Sequence, residues 1–124
     1  MDNHKGCLLV DFDGTIVEHE FPEIGKPLPR AFEVLKKLQQ IGWKLILWTC
    51  RENLPGKPKY LQLAVDFCRT NGLEFDSVNE TMKDYDFRCD YNIPLRKPYV
   101  TWQIDDTNVG GFIGWDKVEE LLVK

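Results

Sequence analysis

Cys7-Leu8-Leu9-Val10-Asp11-Phe12-Asp13-Gly14-Thr15 is the stretch on which the fold turns. Four apolar residues that stop abruptly at an acid are the pattern of a short strand buried on both faces, as in a parallel sheet. Working outward, residues 12–29 contain Gly14, Pro22, Gly25, Pro27 and Pro29, which break any regular pattern and predict a loop. Ala31, Val34, Leu35, Leu38 and Ile41 then recur at helical spacing until Gly42 stops them. Lys44 to Trp48 is a second apolar strand, ending in Thr49. A turn-rich stretch leads to a helix with Leu61, Ala64, Val65 and Cys68 on its apolar face, capped by Asn71-Gly72. Phe75 to Val78 predicts a weak third strand, Trp102 to Ile104 a fourth, and Trp115 to Val123 a closing helix. Strands alternating with helices predict βαβ units. The expected fold is a three-layer, Rossmann-like open parallel sheet with helices on both faces, formed by residues 1–124 as one domain.

Composition bounds the function. A chain of 124 residues, 43% hydrophobic and 29% charged, has the balance of a soluble globular domain and can bury about two-thirds of its surface. Twenty acids against sixteen bases give a net charge of −4, so neither nucleic acid nor an anionic membrane is an expected partner. No basic leader with a long apolar stretch opens the chain, and no segment approaches the roughly 18-residue apolar run of a membrane span. Cys7, Cys50, Cys68 and Cys89 stand singly, without a C-x-x-C pair. That spacing disfavours structural zinc and predicts reduced, mostly buried thiols of a cytoplasmic protein. Trp43, Trp48, Trp102 and Trp115 are expected in the core or an interface, and His4 and His19 in solvated loops.

Chemistry-bearing residues collect at the carboxyl ends of the strands. Asp11 follows the first, Thr49 the second, and Asp105-Asp106 the fourth. In an open parallel sheet those ends share one edge, and ligands bind in the crevice outside it. Carboxylates brought together there repel and raise one another's pKa unless a cation intervenes. An all-oxygen donor set suits Mg²⁺, a metal that favours phosphate partners.

Asp11-Phe12-Asp13-Gly14-Thr15, directly after a strand, resembles the first motif of the haloacid dehalogenase (HAD)-like phosphatase superfamily. Thr49 after Leu45-Ile46-Leu47-Trp48 resembles its second motif. Lys97-Pro98-Tyr99 followed by Ile104-Asp105-Asp106 resembles its third and fourth. Arg51-Glu52 and Asn108-Val109-Gly110-Gly111 are similar to a small, capless branch. The resemblance spans about residues 7 to 111.

It implies a Mg²⁺-dependent phosphatase acting on a phosphomonoester. Asp11 would be the nucleophile that forms an aspartyl-phosphate, and Asp13 the general acid and base. Asp11, the Asp13 backbone carbonyl and Asp105 would hold Mg²⁺, with Asp106 ligating it or orienting a bound water. Thr49 would hydrogen-bond the phosphoryl group, Lys97 would neutralise its charge, and Gly14, Thr15 and Arg51 would complete the substrate-binding set. Lys97 precedes Asp105 by eight residues, so it reaches the site only if residues 98–101 turn compactly. Lys83 is its rival.

No long insertion is present to form a substrate lid. Within residues 12–28, the segment Ile16 to Leu28 is the expected small flap, and residues 80–96 an expected wall of the site. The expected partner is a phosphorylated small molecule, with a second copy of the chain as one way to close an open site. Two other readings use the same residue types. One is a non-catalytic phosphate- or partner-binding module on the same fold. The other is a phosphoacceptor receiver domain, whose acid pair precedes its phosphorylated aspartate, the reverse of the order here.

Overall fold

The computed structural model describes residues 5–82 and 98–124. Its elements are β1 (Gly6–Val10), α1 (Ala31–Gln40), β2 (Trp43–Leu47), α2 (Tyr60–Thr70), β3 (Ser77–Val78), β4 (Trp102–Ile104) and α3 (Trp115–Leu122). All strand pairings are parallel, in the order β3-β2-β1-β4. The opening stretch therefore supplies a central strand, and all five of its residues are buried.

Side chains alternate across a strand, and the two faces of β1 and β2 join separate clusters. Leu8, Val10, Leu45 and Leu47 belong to the main core, with Val34, Leu35 and Leu38 of α1, Ala64, Val65 and Cys68 of α2, and Trp115 and Val118 of α3. Cys7, Leu9 and Ile46 form the second cluster, packed by Trp48, Met82 and Val100. Both faces are covered, giving the expected open, three-layer, Rossmann-like α/β arrangement, with no added cap domain among the described residues. Among them, too, no helix is long and apolar enough to cross a membrane.

One expectation needs correction. The third strand is only Ser77–Val78, because one place where a longer strand would pair is taken by a side chain: the Leu45 amide donates to Asp76 Oδ2 at 2.8 Å. Trp102 is 58% exposed, on the outer strand of the sheet. Of the described cysteines, Cys7 and Cys68 are buried, in keeping with mostly buried thiols, and Cys50 is exposed; burial pushes the Cys68 thiol up to about 12. His4, Lys83, Cys89, Lys97 and most of the expected wall at 80–96 lie outside the described residues.

The strand order explains where a site can form. From β1 the sheet is extended through β2 to β3 on one side, and β4 is then added on the other side of β1. The order thus reverses at the β1/β4 boundary, and such a switch point opens a crevice at the carboxyl ends of the strands.

Candidate active site

The acids meet in that crevice because of register. Val10 pairs with Ile104, so the next residues, Asp11 and Asp105, leave the sheet side by side. The Asp11 amide continues the ladder, donating to the Ile104 carbonyl at 3.0 Å. Asp11, Asp105 and Asp106 each place a carboxylate oxygen within 4.8 Å of the other two. Gly14 makes this approach possible. Its φ is +89°, and a Cβ there would lie 2.0 Å from Asp106 Oδ2. Only a residue without a side chain lets the loop after β1 take this left-handed turn against the Asp106 carboxylate.

Thr15 lies beneath the acids and is fully buried. Its hydroxyl donates to Asp11 Oδ2 at 2.9 Å, and its carbonyl accepts from Trp115 Nε1 at 2.8 Å. In this structure it orients Asp11 and has no surface with which to touch a ligand. The Gly14 amide is likewise engaged, donating to the Val17 carbonyl at 2.8 Å. Asp105 is fixed by an Asx turn in which its Oδ1 accepts from both the amide and the hydroxyl of Thr107 at 2.9 Å.

Burial is the largest influence on Asp11 and pushes its carboxyl from 3.8 up to about 7; Thr15 opposes this, while Asp105 and Asp106 add to it. Three hard oxygen donors, with one carboxyl held back from ionising, form a set that a divalent cation would complete. The residues present thus fit Mg²⁺. The Asp13 carboxylate is not part of this group; the expected contribution of Asp13 was its backbone carbonyl.

Asp11, Asp13, His19, Phe21, Thr49, Cys50, Arg51, Asp106 and Thr107 line a pocket of about 410 Å³. Thr49 sits two residues beyond β2, where its amide donates to Asn79 Oδ1 at 2.8 Å. Its hydroxyl oxygen accepts from the Arg51 amide at 3.2 Å, which leaves its own O–H free to be donated into the pocket. Asn79, with φ +54°, is a support that sequence reasoning missed, although asparagine just after a strand was the available signal. His19 and Phe21 belong to the segment expected to form a small flap, and both line the pocket. They reach it because the loop after β1 folds back, with the Glu18 amide donating to the Lys26 carbonyl and the Leu28 amide to the Ile16 carbonyl, both at 2.8 Å.

Arg51 lines the pocket as well. Its side chain is 1% exposed, and its partner is Asp13. Nε donates to Asp13 Oδ2 at 2.7 Å and Nη2 to Asp13 Oδ1 at 2.8 Å, while further bonds go to the Pro22 and Glu23 carbonyls.

No protein-family model and no curated protein matches the sequence. A solved structure of a conserved protein from Bacteroides thetaiotaomicron does match, at 40% identity over 95% of this chain and 89% of that one, with a TM-score of 0.79.

Proposed function

The chain belongs to the family of that conserved Bacteroides thetaiotaomicron protein, and within it we propose a Mg²⁺-dependent phosphatase that hydrolyses a phosphomonoester through an aspartyl-phosphate on Asp11. The observation that carries this reading is the convergence of Asp11, Asp105 and Asp106 within 4.8 Å at the switch point. Thr49 and Asp13 line one pocket with Asp11 and Asp106. The likeness of the five-residue stretch from Asp11 to Thr15 to the first HAD motif supports the assignment of roles.

In the first half-reaction an Asp11 carboxylate oxygen attacks phosphorus. The bond to the ester oxygen breaks, its electron pair leaves with that oxygen, and Asp13 supplies the proton. In the second, the Asp13 carboxylate takes a proton from water as that water attacks the phosphorus. The bond to Asp11 then breaks, releasing inorganic phosphate and restoring both acids. Thr49 donates its hydroxyl to a phosphoryl oxygen, and Lys97 is assigned the neutralising charge. A cation held by Asp11, Asp105 and Asp106 would offset phosphoryl charge and favour the ionised form of Asp11. The substrate proposed is a phosphorylated small molecule.

Turnover of p-nitrophenyl phosphate with and without Mg²⁺ tests the proposal. Wild type is expected to need the metal, and Asp11→Asn to lose roughly a thousand-fold or more in kcat. Equal rates for the two proteins in Mg²⁺ would overturn it in favour of a non-catalytic phosphate-binding module.

A further inference from the structure

We propose that Arg51 is a positioning residue that couples the 18–28 loop to Asp13, and not a ligand for the substrate. The inference rests on the phosphatase reading above and deepens it.

A guanidinium has five N–H donors and two flat faces. In Arg51 four donors are committed: Nε and one Nη2 hydrogen to the two Asp13 oxygens, the other Nη2 hydrogen to the Glu23 carbonyl at 2.9 Å, and one from Nη1 to the Pro22 carbonyl at 3.3 Å. The Phe12 and Phe21 rings lie over the group, with centroids 5.2 and 5.0 Å from its central carbon. One donor remains, so the bidentate grip by which arginine holds a phosphate is not available. Burying such a charge is costly unless every contact is good. Here the good contacts join two features otherwise separate in the chain. One is the carboxylate assigned to proton transfer. The other is the loop tip at Pro22 and Glu23, beside the Phe21 side chain that lines the pocket.

The tip stands on a narrow neck, where a Cβ on Gly25 would lie 2.1 Å from the Glu18 carbonyl oxygen. The same guanidinium therefore fixes both the seat of the loop and the aim of Asp13. A substrate that displaces the tip also changes how firmly Asp13 is held.

The test separates positioning from binding. In Arg51→Lys, kcat for p-nitrophenyl phosphate should fall about ten-fold or more, since small misplacements of reacting groups are costly. The inhibition constant for inorganic phosphate should stay within about two-fold, because an intact phosphate contact leaves affinity in place. A ten-fold weaker inhibition by phosphate, or an unchanged kcat, would overturn the inference. Asp13→Asn supplies a second arm that does not depend on turnover or on Arg51→Lys folding. It removes one acceptor from the guanidinium, so hydrogen exchange at the Glu18 and Leu28 amides should accelerate, and unchanged exchange would also overturn the inference. Should wild type hydrolyse no phosphomonoester, the phosphatase reading fails, while the exchange arm still decides the coupling.

Discussion

Asp11 is kept in a setting that its ionised form disfavours. Burial and the two neighbouring acids hold its carboxyl at about 7, against 3.8 ordinarily, despite the Thr15 hydroxyl that favours the anion. Between about pH 4 and pH 7 the folded state consequently binds a proton that the unfolded chain has released. That contribution to stability is full below about pH 4 and is lost as the pH rises through about 7. Asparagine at this position has nothing to ionise and still offers an oxygen to Thr15. In chelator, Asp11→Asn should therefore be more stable than wild type at about pH 8, by about 1–2 kcal/mol once solvent screening of a partly exposed group is allowed for. Urea unfolding across the pH range checks this, and the difference should vanish near pH 4. A variant equally stable at both ends would show that Asp11 is not held back in the folded state. The same substitution is expected to abolish turnover, so stability and activity move in opposite directions at one residue.

At the scale of elements, helices α1 and α3 are joined by charge as well as by packing. Glu119 of α3 accepts from Arg30, which precedes α1, at 2.9 and 2.7 Å, and from Lys37 of α1 at 2.7 Å. The Arg30 guanidinium, and after it the Lys37 ammonium, bring the Glu119 carboxyl down to about 2. A lowered acid contributes stability above its ordinary pKa of 4.5 and loses it as the pH falls towards 2. Glu119→Gln should thus melt at a lower temperature than wild type at pH 7, and the gap should close as the pH approaches 2. A gap of constant size would mean that the amide is losing packing, not charge pairing. Elements were also what the sequence displayed most clearly. Continuous apolar runs such as Leu8 to Val10 mark strands buried on both faces, and acids following them mark the functional edge. Contacts between distant loops carry no such signature. Asp13 and Arg51 are polar residues 38 positions apart, and neither has a pattern that names the other. Likewise Asp76 reads as one more residue of a weak strand, although its carboxylate accepts the Leu45 amide. Thr15 sits in a loop motif, yet the start of α3 covers it through Trp115, 100 residues away.

For the molecule as a whole, these elements place three acids of a net-acidic chain at the point where the strand order reverses. Folding without a counter-ion works against that placement, whereas folding around one is assisted by it. A cation that binds only the folded protein adds RT ln(1 + [L]/Kd), about 2.7 kcal/mol at a hundred times Kd. For a chain of this length that corresponds to a rise in melting temperature of about 10 °C. Protons compete for the same oxygens, and with the Asp11 carboxyl at about 7 the competition is strong at pH 5 and weak at pH 8. Mg²⁺ should consequently raise the melting temperature much more at pH 8 than at pH 5. Asp105→Asn, which removes one charge from the group, should lose most of the rise at both. Differential scanning fluorimetry at the two pH values, with chelator as the reference, measures this without any substrate. A shift that is no larger at pH 8, or that survives in Asp105→Asn, would place Mg²⁺ somewhere other than the three acids at the β1/β4 edge.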